Sequence, residues 1–186
     1  LDYGQANPPA HLTNISAIAA GESHSLALRN NGTVFAWGYN ISGQTNVPAG
    51  LSNVVAIAAA YHHSLALKLD GTVVPWGAGS YGLNSVPASA TNVIAIGCAG
   101  FNNIAVKSDG ACVVWGDSSL EKTTLPAGLP KVVAAAGGLG HILVLTGDGR
   151  PYITVHPFNR TVFAASTISF NVVAAGDATL SYKWRF

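Results

Sequence analysis

Apolar positions along the chain fall into short blocks. In each block a strand-length segment rich in Ala or Gly is followed by one that is apolar at every position. The first kind is seen at Ala19-Ala20-Gly21, Ala58–Ala60, Gly97–Gly100 and Ala134–Gly138. The second is seen at Leu26-Ala27-Leu28, Leu65-Ala66-Leu67, Ile104-Ala105-Val106 and Leu143-Val144-Leu145. Each block runs into a turn signal: Asn31-Gly32, Asp70-Gly71, Asp109-Gly110 or Asp148-Gly149. Such pairs predict two-residue hairpins, because Gly tolerates the positive φ that tight turns need. Trp37-Gly38, Trp76-Gly77 and Trp115-Gly116 close three of the blocks. Every landmark recurs at a step of 39 residues, including Pro9, Pro48, Pro87 and Pro126. His24, His63 and His141 keep the same step, with Asn102 in the slot between.

A strand apolar on both sides must be covered on both sides. Sheets stacked around an axis meet that demand, and the crowded strand nearest the axis needs small residues. The predicted fold class is therefore all-β: a partial β-propeller of three full 39-residue repeats plus two partial ones, built from four-stranded wedges. A stacked solenoid is the alternative, but its repeats seldom carry so tight a hairpin. Residues Leu1 to Asn14 align with Ile41 to Asn53, so the chain opens in mid-repeat, and the fourth repeat stops short of its Trp-Gly. With no Met among its residues, the chain is read as a piece of a larger ring whose missing blades are its first partners. The propeller portion is placed at residues 1–150. Arg150–Val155 is a possible outer strand for the last blade.

Composition narrows the function classes. Of 186 residues, 49% are hydrophobic and 9% charged, which excludes disorder and predicts dense burial. Nine Lys and Arg against eight Asp and Glu give a net charge of +1, too little for a general nucleic-acid binder. No apolar run reaches the roughly 18–20 residues that cross a bilayer, so no membrane span is expected. Cys98 and Cys112 fall in one repeat with a strand between them, too far apart to bridge, and are read as small buried hydrophobes.

The stretches "AIAAGESHSLALRNNGTVFAWGYNISGQ" and "AIAAAYHHSLALKLDGTVVPWGAGSYG" resemble the repeats of the regulator of chromosome condensation family. The shared pattern is a glycine, two variable residues, His-Ser-Leu-Ala-Leu, a turn glycine and Trp-Gly. The resemblance implies a seven-bladed propeller. The short unit is most similar to the bacterial branch, which includes a secreted β-lactamase inhibitor. Residues 151–186 resemble the first strands of a bacterial immunoglobulin-like domain. Ile168, Phe170, Val172 and Ala174 alternate there, as do Leu180, Tyr182 and Trp184, and the segment is too short for a whole sandwich.

The candidate chemistry is sparse. The recurrent histidines invite a metal reading, but equivalent positions in neighbouring sheets lie about 10 Å apart, against ligand bonds of about 2.0–2.1 Å. Each is expected to bond backbone groups where the blade turns back. No two free carboxylates share a motif that would split their pKa values for acid–base work. Ser80 lacks the first glycine of a nucleophile elbow. We therefore expect no catalytic residues, no metal and no cofactor.

Variable positions lie just before the His slot and just after Trp-Gly, as expected of a recognition face on a repeat scaffold. The candidate binding residues are Glu22, Tyr39, Asn40, Tyr61, His62, Tyr81, Phe101 and Asp117. The leading reading is a non-catalytic module in a large extracellular or surface bacterial protein, binding a protein or a surface polysaccharide. The resemblance also allows a guanine-nucleotide exchange factor for a small GTPase, or a β-lactamase inhibitor. Three full repeats of equal length, with no inserted wedge, disfavour the exchange factor.

Overall fold

The computed structural model describes residues 2–119, 125, 129–147, 152–155 and 173–175. Three antiparallel sheets follow one another: β1 (Ile15–Ala20), β2 (His24–Arg29) and β3 (Val34–Gly38); β4 (Val54–Ala60), β5 (His63–Lys68) and β6 (Val73–Gly77); β7 (Val93–Ala99), β8 (Asn102–Lys107) and β9 (Cys112–Gly116). A fourth blade is described by β10 (Val132–Gly137) and β11 (Ile142–Thr146). This is a partial β-propeller, with one change from the expected wedge: the first three sheets have three strands each. The stretches after Trp37-Gly38 and Trp76-Gly77 are sets of turns, held by bonds such as Asn46 N–H to the Gly43 carbonyl at 3.0 Å.

Register explains the apolar pattern. In the second blade Ala58 pairs with Leu65, and Leu65 with Pro75; one residue on, Ile57, Ala66 and Val74 share a row. Side chains alternate between faces, so Leu65 and Leu67 point forward while Ile57 and Ala66 point back. The forward face of each blade packs on the back face of the next. Leu26 and Leu28 meet Ala66 and Trp76, and Leu65 and Leu67 meet Ala105, Cys98 and Trp115. Small residues let the inner strands close up. A Cβ at Gly137 would collide with the Cys98 carbonyl of the neighbouring blade.

In the first three blades the turn beyond the middle strand is longer than the predicted two residues. Lys68 and Thr72 bracket a three-residue loop, with Lys68 N–H on the Thr72 carbonyl and Gly71 N–H on the Lys68 carbonyl. Gly71 then sits at φ +82, the geometry of a turn followed by a bulge. Asp70 caps this loop through the Thr72 N–H, the chief cause of a carboxyl pKa lowered to about 2.

The predicted outer-strand role of Arg150–Val155 is not realised. β12 (Tyr152–Val155) pairs instead with β13 (Val173–Ala175) in a separate two-stranded sheet. The fourth turn signal and most of the immunoglobulin-like segment, including Ile168, Phe170, Val172, Leu180, Tyr182 and Trp184, lie outside the described residues. Both cysteines are free: Cys98 is buried, with its thiol pKa raised by burial, and Cys112 is half-buried. No helix among the described residues is long and apolar enough to cross a membrane.

Candidate functional site

The inner hairpins of the four blades place their tips on one face of the arc. The tips are Glu22-Ser23, Tyr61-His62, Gly100-Phe101 and Leu139-Gly140. Below them the ends of the inner strands converge on an open cavity of about 320 Å³, lined by small residues such as Ala20, Ala60 and Gly138, with Glu22, Tyr61 and Leu139 at its edge.

Six rings form one row beside that cavity. Tyr3 meets Tyr39 at 4.4 Å between centroids, and Tyr39 meets His62 at 5.5 Å. His62 meets Tyr61 at 5.4 Å, Tyr61 meets Phe101 at 4.7 Å, and Phe101 meets Tyr81 at 5.3 Å. All five pairs are tilted, the usual preference of ring quadrupoles. Glu22 joins the row through its carboxylate, 3.0 Å from His62 Nε2, and its N–H donates to the Tyr61 carbonyl at 3.2 Å. The loops of the first two blades are thus tied by one side-chain contact and one backbone bond.

Five described non-glycine residues have positive φ. Three are Asn14, Asn53 and Asn92, one repeat position filled by a residue type that tolerates it. The other two are Tyr61 (φ +38) and Tyr81 (φ +58), both in the row. At the position of Tyr61 the third repeat carries Gly100, at φ +47. A tyrosine kept where the next repeat uses glycine holds local strain of about 1–3 kcal/mol.

Of the eight residues singled out in the sequence, the structure gathers Glu22, Tyr39, Tyr61, His62, Tyr81 and Phe101. Asn40 is exposed but occupied: its amide donates to Asn46 Oδ1 at 2.8 Å, and its Oδ1 accepts from Thr45 N–H. Asp117 is a correction. It is 8% exposed and turns inward to accept from Ser119 N–H and Oγ–H, so it is a loop cap and not part of an open face. Tyr3 escaped the sequence reading. It stands two repeat steps before Tyr81, so the period itself carried the signal.

The histidines also differ from expectation. His24 Nε2 lies 3.0 Å from Ser64 Oγ, and His63 Nε2 lies 2.8 Å from Asn103 Oδ1, so each reaches a side chain of the following blade, while His24 also bonds the Tyr61 backbone as expected. Ser64 spends its proton on the Gln44 carbonyl, and Asn103 spends an amide proton on the Leu83 carbonyl. Nε2 must therefore be the protonated nitrogen in both rings. Burial, aided by neighbouring histidines, lowers the His24 pKa to about 4, and burial lowers that of His63. These are neutral structural stitches. No group of three or more metal-ligating side chains occurs among the described residues.

Residues 15–44, the first sheet and the loop after it, match the regulator of chromosome condensation (RCC1) repeat family. No curated protein matches the chain. Among solved structures, the chain is similar to yeast RCC1 (Prp20) bound to Kap60, with 22% identity and a TM-score of 0.64 over 76% of this chain and 44% of that one. It is also similar to human WBSCR16 (27%, TM-score 0.59, 73% and 45%). A third likeness is to the ectodomain of the Physcomitrella patens receptor kinase CR4 (21%, TM-score 0.64, 94% and 44%). The chain spans less than half the length of each. Sequence and fold agree on one conclusion: a partial β-propeller in which residues 15–44 match the RCC1 repeat.

Proposed function

We propose that the chain is a non-catalytic binding module that docks a protein partner on its loop face, with the aromatic row as the anchor. The observation that supports this most is the row itself: six contiguous rings at positions the repeat leaves free, two of them on strained backbone. Aromatic side chains on a rigid scaffold lose little entropy on docking and are the usual hot spots of interfaces. A polysaccharide is the other ligand class considered. The 40–58° tilts between successive rings break up the flat stacking surface a sugar chain would use, which favours a protein. In line with the sequence resemblance, we read the host as a large extracellular or surface bacterial protein.

The test is a combined Tyr61→Ala, Tyr81→Ala and Phe101→Ala variant. Immobilised beside the parent chain, it should lose the specific protein partner that the parent retains and leave glycan-array signals unchanged. Equal retention by both would place the binding face elsewhere.

A second reading rests on the likeness to Prp20p of Saccharomyces cerevisiae, a protein described for its binding to Gsp1p and histones. Accelerated nucleotide release from a small GTPase would favour exchange activity over the module proposed here. Inhibition of a class A β-lactamase, the remaining alternative, is decided by a direct enzyme assay.

A further inference from the structure

The aromatic row has a carboxylate beside it. Glu22 Oε2 lies 3.0 Å from His62 Nε2, and the Glu22 side chain is still 50% exposed. A carboxylate has about four acceptor positions, so one imidazole leaves room for a second donor. Glu22 and Tyr61 also stand together at the edge of the cavity between the hairpin tips. A group arriving there meets an anionic oxygen and an electron-rich ring at once. The face of an aromatic ring carries negative potential, so both features attract a cation and neither attracts an anion.

The chain's own cations stand elsewhere. Among the described residues the Lys and Arg side chains are those of Arg29, Lys68, Lys107 and Lys131. Arg29, Lys68 and Lys107 end the middle strands that begin beside the tips, at His24, His63 and Asn102. Lys131 precedes β10 at the same far end, since Val132 pairs with Thr146 there and Gly137 with Ile142 by the tip. Six-residue strands rising about 3.3 Å per residue keep these cations roughly 17 Å from the tips. Lys68 and Lys107 are also held in place by Asp70 and Asp109. The far end shows what such a ring can carry: Arg29 lies over the Phe35 ring, 4.4 Å from its centroid.

We infer that the partner docked on the loop face anchors itself with an arginine, whose guanidinium lies on Tyr61 and donates to the Glu22 carboxylate. A guanidinium is flat and weakly hydrated, so it can stack on a ring and reach a carboxylate with two N–H groups together. An ammonium makes the second contact without the stacking. This assignment rests on the loop-face reading and adds the chemistry of the partner, a protein segment that presents arginine.

The probe is N-acetylarginine N-methylamide, titrated into the full chain near neutral pH and followed by proton–nitrogen correlation NMR. The citrulline analogue, equal in shape but neutral, is the control. Saturable shifts should centre on the amides of Glu22, Tyr61 and His62, with the citrulline analogue about tenfold weaker. Glu22→Gln should weaken arginine binding about tenfold and bring it to the citrulline level. Tyr61→Gly removes the ring at a position where the third repeat already carries Gly100 at positive φ, and it should also bring the probe to the citrulline level. It replaces Glu22→Gln if far-UV circular dichroism shows that variant to be altered. Equal affinity for the arginine and citrulline analogues overturns the assignment. So do shifts centred on Asp70 and Asp109, a Glu22→Gln chain that binds like the parent, or a lysine analogue that binds as tightly as arginine. Each of these leaves the loop-face reading standing if the triple aromatic variant still loses its protein partner. Retention of that partner by the triple variant defeats the loop-face reading, and the assignment falls with it.

Discussion

The indole Nε1–H of Trp76 donates to the main-chain carbonyl of Gln44 at 2.9 Å, and the same carbonyl accepts from Ser64 Oγ–H at 3.1 Å. The arrangement recurs at one repeat step. Trp37 and Ser25 share the Gln5 carbonyl, and Trp115 and Asn103 share that of Leu83. The tryptophan is therefore a hydrogen-bond donor as well as a packing residue. In the second blade it carries on a line that begins at His24 and passes through Ser64.

Trp76→Phe removes the donor and part of the ring. A buried carbonyl left with one partner, together with a small void, should cost about 1–3 kcal/mol. The urea midpoint followed by circular dichroism will show it. Trp37→Phe should cost less, because Trp37 is only half-buried.

Stability should fall in mild acid. The folded pKa of His24 is depressed to about 4 from an ordinary 6.5, and that of His63 is depressed as well. The unfolded chain then binds protons that the native state refuses. The contribution is present in full above pH 6.5, shrinks as the pH falls below it and is gone near pH 4 for His24. The expected loss from His24 is about 2–3 kcal/mol by linkage. Urea titrations at neutral pH and near pH 4.5 should differ by that order, and His24→Gln should flatten the difference. Asp70 titrates lower, near 2, and leaves this window unaffected.

Gly77→Ala should destabilise strongly. The backbone there is at φ +94, and a Cβ would lie 2.6 Å from the His62 carbonyl. Gly38 and Gly116 repeat both features, at φ +102 and +121. The loss should exceed about 2 kcal/mol, since strain and collision add. By contrast Gly50→Ala, with φ +76 but no neighbour within 4 Å, carries the backbone term alone and serves as the control in the same thermal melts.

The third repeat breaks the histidine line for a physical reason. Its slot holds Asn102, and the place in the fourth blade that would accept from a histidine holds Ile142, which has no acceptor. Asn102 turns to its own blade and donates to the Asp117 carbonyl at 2.7 Å. Asn102→His alone should destabilise by about 1–3 kcal/mol, as a buried donor without a partner. Adding Ile142→Ser should recover part of that loss. A double-mutant cycle with coupling of about 1 kcal/mol is the expected outcome, and additive losses would contradict the stitch.

These particulars mark where the sequence is legible. Trp-Gly, the turn glycines and the Ala-rich inner strands each answer to a local demand, so their spacing discloses blades, faces and axis. Most of the aromatic row was visible because Tyr39, Tyr61, His62, Tyr81 and Phe101 stand where the repeat is free. The partner of His24 was not visible. Aligning repeats shows which residues share a column, whereas His24 meets Ser64 and not His63: a stagger of one residue, set by how the sheets lean together. Asp117 misled for a similar reason. A polar residue after Trp-Gly looks solvent-facing until the loop curls over and uses it as a cap. The fourth strand failed because its stretch satisfies its backbone through turns.

The carbonyls of Gln5, Gln44 and Leu83 lie upstream of the sheets they serve, in the connection from the previous blade. The heritable module is thus offset from the visible one. A segment copied from the first residue of an inner strand would arrive without its own hydrogen-bond acceptor, while one copied from just before that connection would bring everything its tryptophan needs. Duplication or engineered grafting of such modules should tolerate breakpoints near Gln5, Gln44 and Leu83, and reject those at Ile15, Val54 and Val93.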